Sequence, residues 1–284
     1  MTREDILRKL NENDVEAVAK ESVKNGVIFR GIIIPTGRDV SPIIYTDEII
    51  EKAERTGMLL EEVVEEILDI YERNKDVSFG VDKILERDWI LEHVVVGFQK
   101  DSIENIIKKE SGFLGIEMYL YLCGDREAKE TFTVKVTETL LEHAGVEESE
   151  AWDAAVQHTC EDTAVESMWE VMERITGASL WEQEDQLHMY VFSNKTHMHG
   201  ASSVLNRKKL ESLARVYGVD QLIVLPSSIH EMLVMPYCDE MDLKYMNQLV
   251  REVNAEEVLP EERLTDQAYL ISFVKENCVV GCME

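Results

Sequence analysis

Long apolar runs are absent from this sequence: no stretch approaches the roughly 18 consecutive apolar residues of a transmembrane helix. The segment Met1–Asp5 also lacks the basic and then apolar pattern of a signal peptide. Cysteines are few and scattered, at Cys123, Cys160, Cys238, Cys278 and Cys282. Their odd number fits reduced thiols better than a disulfide framework. We therefore predict a cytoplasmic protein that makes no membrane contact.

Basic residues are scarce relative to acidic ones. The chain has 29 Lys and Arg against 57 Asp and Glu, which gives a net charge of −28. So acidic a chain repels phosphate backbones over most of its surface, and nucleic-acid binding is therefore disfavoured. The ordinary effect of such a net charge is to keep a protein soluble. Two sharper hypotheses are an acidic surface that engages a protein partner, and a nucleic-acid mimic with carboxylates at phosphate-like spacing.

Several catalytic and cofactor motifs are also missing. The sequence contains no G-x-x-x-x-G-K-[ST], no G-x-G-x-x-G and no G-x-S-x-G. The segment H-E-M-L-V, 230–234, begins like a zinc-protease motif, but Val234 stands where a second histidine is required. His197 and His199 have H-x-H spacing without further ligands at matching local spacing. The sequence therefore predicts no cofactor, no metal and no identifiable catalytic residue.

Hydropathy patterns predict a mixture of helices and strands. Predicted helices occupy residues 1–24 in two pieces broken at 11–14, then 46–57, 60–71, most of 81–110, 138–175 in pieces, 203–217 and 239–254. Predicted strands occupy 27–34, 113–122, 131–137, 186–193, 221–225, 229–235 and 268–274, and the second and third of these form a hairpin. Helices and strands do not alternate strictly as βαβ units. We predict an α+β fold with mixed antiparallel sheets and helices packed on one face.

The same patterns suggest a division of the chain into two parts. A mostly helical part with one strand covers residues 1–108. An α+β part covers 109–284 and carries the hairpin 113–137 and the strands 186–193 and 221–235. One continuous domain is the alternative.

Paired serines, a histidine and a glutamate interrupt the apolar stretch LPSSIHEMLVMP, 225–236. Side chains alternate between the faces of a strand, so His230 and Glu231 are expected to point apart and cannot form an acid–base pair. Ser227 and Ser228 fit a turn after Pro226, where their hydroxyls bond nearby backbone groups. This pattern predicts a strand–turn–strand unit and not a catalytic site.

The loop SNKTHMHGASS, 193–203, leads into a helix with basic residues, among them Arg207. Backbone N–H groups at a helix start attract anions, so this region is the candidate for holding a phosphate or carboxylate. A solvated basic helix face is the ordinary alternative. If the loop meets the 225–231 turn, a pocket between them would be lined by Asn194, Lys195, His199, Ser227, Ser228 and His230.

Several segments together carry a family resemblance: VKNGVIFRGIII, MYVFSNKTHMHGASSVL, LPSSIHE and REVNAEEVLPEE. They resemble the bacterial domain-of-unknown-function family numbered 5688, found mainly in gut Firmicutes, over about residues 20–272. The family pattern has leucine–tyrosine–proline where this chain has Leu205-Asn206-Arg207. The resemblance implies a cytoplasmic bacterial α+β protein from accessory or mobile-element gene sets, and it supplies no catalytic residues.

From these observations we predict a non-enzymatic, protein-binding accessory protein. The first alternative is a protein that binds a small ligand or anion, or an enzyme, with its pocket between loop 193–203 and turn 225–231. The second alternative is the acidic nucleic-acid mimic.

Overall fold

The computed structural model describes residues 1–37, 41–75, 81–125, 132–177, 188–274 and 277–282. Every strand pairing in this part of the chain is antiparallel. The chain divides into two compact units, Met1–Ile84 and Leu85–Glu284. The predicted α+β class is confirmed. No helix in the described residues combines the length and the hydropathy that a membrane span requires.

The first unit combines helices with a small sheet. Its elements are α1 Arg3–Glu12, β1 Val18–Lys24, β2 Val27–Ile33, β3 Ile43–Tyr45, α2 Asp47–Thr56, α3 Leu60–Asn74 and α4 Val81–Ile84. The strands form a sheet in the order β1-β2-β3. The predicted helix over 60–71 is confirmed as α3, and its residues Val63, Val64 and Ile67 are buried in the core of this unit. Gly57 ends α2 in the left-handed conformation, as its position after the helix predicts.

The prediction of helix throughout residues 1–24 is wrong beyond α1. Residues Val18–Lys24 form a strand that pairs with β2, and Lys24 lies opposite Val27. The two residues between them, Asn25 and Gly26, have φ angles of 48° and 81°. Positive φ at both positions is what a two-residue hairpin turn requires, and Asn-Gly is the sequence that adopts it most readily. The Asn25-Gly26 turn therefore folds residues 18–24 back onto β2 as a strand. The polar composition of these residues would also be compatible with a helix.

The second unit contains the remaining elements. Its first half consists of α5 Arg87–His93, β4 Val94–Lys100, β5 Lys108–Glu110, β6 Ile116–Cys123, β7 Thr133–Lys135, α6 Glu138–Ala144, α7 Glu148–Asp162, β8 Thr163–Ser167 and α8 Met168–Thr176. Its second half consists of β9 Tyr190–Asn194, a 3-10 helix Gly200–Leu205, α9 Arg207–Tyr217, β10 Gln221–Ser228, β11 Glu231–Pro236, α10 Leu243–Glu257, β12 Tyr269–Val274 and β13 Asn277–Cys282.

Two sheets organise the second unit. In the four-stranded sheet, β6 is flanked by β4 on one side and by β5 and β7 on the other, which confirms the predicted hairpin between residues 113 and 137. Part of the turn predicted to join its strands lies outside the described residues. The six-stranded sheet has the order β13-β12-β10-β11-β9-β8. Because β4 pairs with β6, strands on both sides of residue 108 belong to one sheet.

The six-stranded sheet has apolar side chains on both faces. Leu222 and Val224 of β10 pack in the same cluster as Leu210 of α9. The alternate residue Ile223 packs with Val250 of α10 on the opposite face. Because successive side chains of a strand point to opposite faces, a helix covers the sheet from each side. This double coverage explains why β10 is apolar at consecutive positions.

Three further predictions in this unit need correction. The predicted helix over most of 81–110 ends at His93, and the segment HVVVGF, 93–98, for which a short strand is the alternative interpretation, enters the strand β4. The predicted helical pieces of 138–175 do break at Gly145 and near Glu161-Asp162, but the strand β8, which follows α7 without a loop, was not predicted. Pro226–Ser228 lies inside β10 and not in a turn, and the pairing with β11 shifts register between Pro226 and Ser228. The turn is Ile229-His230, so His230 precedes the strand that begins at Glu231.

A row of polar side chains crosses one face of the four-stranded sheet. Glu117 accepts hydrogen bonds from Gln99 Nε2 at 2.7 Å and Ser102 Oγ at 2.6 Å, and Lys108 Nζ lies 3.1 Å from its Oε2. Lys135 Nζ donates to Gln99 Oε1 at 2.8 Å. Burial alone would raise the pKa of Glu117, but the hydrogen bonds from Ser102, Gln99 and Lys108 outweigh burial and hold this pKa below 4.5.

Candidate functional site

A cavity of about 100 Å³ lies in the second unit, between the four-stranded sheet, the end of α7 and the segment that follows β9. The residues that line it are Val95, Val96, Tyr121, Cys123, Thr133, Thr159, Asp162, Asn194, Thr196, Met198, His199, Gly200, Ser202 and Ser203. Most of these side chains are polar, and they come from parts of the sequence up to 108 positions apart. Tertiary packing therefore builds this site, since no single motif contains it.

The sheet wall of the cavity follows from strand register. Tyr121 and Cys123 are two positions apart on β6 and share one face. Their direct cross-strand neighbours are Val95 on β4 and Thr133 on β7, which share that face. Burial raises the pKa of the Tyr121 phenol well above its usual range, and the charges of neighbouring groups, among them Asp162, raise it further. The phenol is therefore a neutral O–H group, and it makes no hydrogen bond to any described residue.

The helical wall comes from the last turn of α7. Thr159 Oγ1 donates to the Ala155 carbonyl oxygen at 2.8 Å and accepts from the Val96 amide at 3.1 Å, which ties the helix to β4. Asp162 ends the helix and places a carboxylate in the cavity wall, where Lys195 Nζ lies 3.2 Å from its Oδ1. The Asp162 side chain is 15% exposed and that of Lys195 is 64% exposed. The carboxylate therefore faces inward, while its lysine partner lies on the solvent side.

The third wall is the segment 194–199, which the Asn194 side chain holds in shape. Asn194 Nδ2 donates to the Met198 carbonyl oxygen at 2.7 Å, and Asn194 Oδ1 accepts from the Met198 amide at 3.1 Å and from Thr196 Oγ1 at 3.2 Å. His197 and His199 have φ angles of 57° and 54°. Such left-handed backbone is uncommon outside glycine, and it persists only where surrounding contacts enforce it.

The two polar segments singled out from the sequence are in contact. His230 Nδ1 accepts a hydrogen bond from the His199 amide at 3.0 Å, and Ser193 Oγ donates to the His230 carbonyl oxygen at 2.7 Å. Because Nδ1 is an acceptor, Nε2 carries the proton, and it lies 3.2 Å from Glu262 Oε1. Both ring nitrogens of His230 are therefore engaged: Nδ1 holds the segment that carries His199, and Nε2 contacts Glu262.

The six candidate residues take different positions relative to the cavity. Asn194 and His199 line it, whereas Lys195 lies on the solvent side of Asp162. Ser227 Oγ donates to Glu231 Oε1 at 3.2 Å, and Ser228 Oγ accepts from the His230 amide at 3.0 Å. The two serines therefore make local contacts, and His230 supports the loop from behind.

The lining residues that are not among the six candidates include Tyr121, Asp162 and Ser203. Alternation along β6 was a usable signal for Tyr121, because positions 119, 121 and 123 share a face. No local pattern marks Asp162, whose role depends on where α7 ends. The sequence marks Ser203 only as part of a polar loop, yet its exposed fraction is 1%.

Ser202 and Ser203 are adjacent, buried and differently bonded. Ser202 Oγ donates to the Val96 carbonyl oxygen at 2.6 Å. Ser203 Oγ is buried and has no hydrogen-bond partner in the described part of the protein. Most buried polar groups in folded proteins have a partner, so each exception requires an explanation. Ser203 lines the cavity, so this exception lies within the candidate site.

Gly200 lies where these segments converge. A Cβ atom at this position would be 2.4 Å from the Asn194 amide nitrogen, 2.4 Å from Ser193 Oγ and 2.8 Å from the His230 carbonyl oxygen. Distances under about 3 Å are far shorter than van der Waals contact. The close approach of three segments therefore requires glycine here.

No group of three or more His, Cys, Asp or Glu side chains is arranged to hold a metal ion in the described ranges. The model of a family described as "Family of unknown function (DUF5688)" matches residues 2–272 and confirms the resemblance noted from the sequence. The match runs from the start of the first unit into β12 of the second. No curated protein and no solved structure matches the chain.

Proposed function

We propose that this chain, which belongs to the family of unknown function DUF5688, binds a small polar molecule in the cavity between the four-stranded sheet and the 194–199 segment. The observation that carries the proposal is the buried Ser203 hydroxyl, which has no partner among the described residues. A buried hydroxyl without a hydrogen bond costs about 1–3 kcal/mol. Ser203 is one of the residues that line this cavity.

The dimensions and lining of the cavity limit what it can hold. Its volume, about 100 Å³, lies below the range of roughly 300–1,000 Å³ found for drug-sized ligands. The ligand is therefore a molecule of few heavy atoms. The Tyr121 hydroxyl and the Ser203 hydroxyl supply hydrogen-bonding groups, while Val95 and Met198 supply apolar contact. Such a mixture orients a small ligand through its polar end.

Binding agrees with the geometry better than catalysis by His230. A general base needs a ring nitrogen within hydrogen-bond reach of the group it deprotonates. The two ring nitrogens of His230 instead contact the His199 amide and Glu262. This histidine therefore acts in our proposal as a support for the cavity wall.

The hypotheses of a protein partner and of a nucleic-acid mimic, which follow from the acidic composition, stay predictions. Both depend on the net charge of −28, and charge-led contacts are strongest at low ionic strength. If a basic protein is the partner, a pull-down at low salt should recover it and added salt should release it. Recovery of no partner at low salt would contradict the hypothesis.

The adjacent serines provide a matched test of the ligand proposal. Ser203→Ala is expected to leave the free energy of unfolding equal or higher, because it removes a hydroxyl with no described partner, yet to weaken ligand binding at least tenfold. Ser202→Ala is expected to lower the free energy of unfolding by about 1 kcal/mol, because it removes the bond to Val96. Urea unfolding measures the first quantity for both variants. A ligand-observed NMR screen of small polar molecules, repeated on the wild type and both variants, measures the second.

The outcomes show whether the Ser203 hydroxyl binds a ligand or belongs to an ordinary buried serine. If no molecule in the screen binds the wild-type protein, the proposal is wrong. It is also wrong if Ser203→Ala binds the same molecules with unchanged affinity. If Ser203→Ala is destabilised as much as Ser202→Ala, the Ser203 hydroxyl has a structural role and the argument from its missing partner fails.

A further inference from the structure

The charge of the cavity wall indicates what kind of molecule it holds. Asp162 contributes a carboxylate whose side chain is 85% buried, the complement of its 15% exposure. A carboxylate has two oxygens and about four lone-pair sites, so the contact of Lys195 with Oδ1 leaves acceptor capacity toward the cavity. The hydroxyl oxygens of Ser203 and Tyr121 can also accept hydrogen bonds.

We infer that the ligand is a small organic cation with N–H donors, such as an amine, amidine or guanidine, and that Asp162 selects for its charge. This inference rests on the proposed function, because it concerns the same cavity. The cation places an N–H group against the Asp162 carboxylate and further donors against the hydroxyl oxygens. The ring of Tyr121 adds a favourable contact, since aromatic faces attract cations.

The negative charge of Asp162 in the cavity wall supports this assignment. Burial, then Tyr119 and Cys123, and last Asp162 raise the pKa of the Tyr121 phenol, so Asp162 makes the smallest contribution to this pKa. The position of the Asp162 carboxylate in the cavity wall disfavours an anion placed beside it and favours a cation. This observation argues against the phosphate or carboxylate ligand that the sequence suggested for loop 193–203.

The lysine partner of Asp162 is a weak competitor for the carboxylate. Lys195 is 64% exposed, and exposed ion pairs typically contribute only about 0–1 kcal/mol because water and salt screen them. A cation inside the cavity is screened less, since its surroundings are mostly protein. The exposed Lys195 side chain can therefore turn into solvent when a ligand arrives.

Three molecules with the same four-atom heavy skeleton test the inference: acetamidinium, acetamide and acetate, which carry charges of +1, 0 and −1. Titrations at neutral pH are followed through the methyl signal of Met198, a residue of the cavity wall. We expect wild-type protein to bind acetamidinium at least about tenfold more tightly than acetate, a difference of about 1.4 kcal/mol. Acetamide is expected to fall between them.

Three variants test whether Asp162 causes the preference for acetamidinium over acetate. Asp162→Asn should reduce the preference for acetamidinium over acetate to less than about threefold. Lys195→Gln should tighten acetamidinium binding, because it removes the competing ammonium group. Asp153→Asn is the matched control: Asp153 is an exposed residue of the same helix, outside the cavity lining, so its replacement changes the net charge equally. It should leave the preference unchanged.

The possible results distinguish the two proposals. If acetamide or acetate binds the wild type as tightly as acetamidinium, or if Asp153→Asn lowers the preference as much as Asp162→Asn, selection by Asp162 is overturned and the cavity proposal stands. If none of the three molecules perturbs Met198 in the wild type, both proposals are overturned.

Discussion

Gly200→Ala is expected to lower the free energy of unfolding by about 3 kcal/mol, the upper part of the range for overpacked positions. The added Cβ would meet the Asn194 amide nitrogen and Ser193 Oγ at 2.4 Å and the His230 carbonyl oxygen at 2.8 Å. Two of these three atoms belong to the backbone, so no side-chain rotation relieves both overlaps.

The surrounding contacts prevent these three atoms from moving away from the added Cβ. Asn194 pairs with Thr163 across strands β9 and β8, and the His230 carbonyl oxygen accepts a hydrogen bond from Ser193 Oγ. Relief of the overlap therefore requires loss of the Ser193–His230 bond or displacement of the 194–199 segment. Either change alters the cavity wall, so ligand binding should fall together with stability.

Gly218→Ala is the matched control for this experiment. Gly218 ends α9 with a φ of +66°, and a Cβ there meets no atom within 4 Å. This replacement is expected to cost only the left-handed strain of a non-glycine residue, about 1–2 kcal/mol. Urea unfolding of the two variants measures the difference. A Gly200→Ala protein at least as stable as Gly218→Ala would show that the three segments do not pack as closely as described.

Glu117→Gln is expected to lower the free energy of unfolding at neutral pH by about 2 kcal/mol, the magnitude typical of hydrogen bonds to a charged group. The Glu117 carboxylate accepts from Gln99 and Ser102 and pairs with Lys108. An amide in its place has one acceptor oxygen, and its NH₂ group would face donors already pointed at the site. Measurement is by urea unfolding of both proteins at neutral pH.

The difference between the two proteins should depend on pH in a defined direction. The pKa of Glu117 in the folded protein is lowered from 4.5, because hydrogen bonds outweigh burial. A lowered folded-state pKa adds stability that is fully present above the unfolded value and is lost as the pH falls through the folded value. The advantage of wild type over Glu117→Gln should therefore be constant from pH 7 to pH 5.5 and shrink below 4.5.

Glu110→Gln serves as the control for net charge. Glu110 lies directly opposite Glu117 in the β5–β6 pairing but is exposed. Its replacement should change stability by less than about 0.5 kcal/mol, as expected for surface positions. If both glutamine variants lose the same stability, general surface charge explains the effect and the buried network does not.

Helices with strong local signals were predictable from the sequence, and weakly patterned strands were not. Helix α2 has Gly57 after its last residue, and α3 has a full apolar stripe, so local chemistry and tertiary structure agree. Strand β1 is mostly exposed, and its composition carries little β signal. The Asn25-Gly26 turn was the available clue, and it outweighs composition because few other sequences tolerate positive φ at both positions.

The candidate site was predictable only in part, for a physical reason. Asn194 and His199 lie in a polar loop that contrasts with its apolar surroundings, so the sequence marks them. Tyr121, Asp162 and Ser203 come from a strand, a helix end and a buried 3-10 helix. Their convergence depends on strand register and helix packing across long stretches of chain, which local patterns do not encode.

The direct passage from α7 into β8 has a mechanical consequence for the cavity. Asp162 is the last residue of the helix, and the next residue, Thr163, pairs with Asn194 across the sheet. Because Asp162 and Thr163 are consecutive residues, the wall that carries the Asp162 carboxylate and the wall that begins at Asn194 are held at a fixed separation. Such a site is preorganised: a ligand meets walls already in place, and its affinity is not reduced by the entropy of ordering a loop.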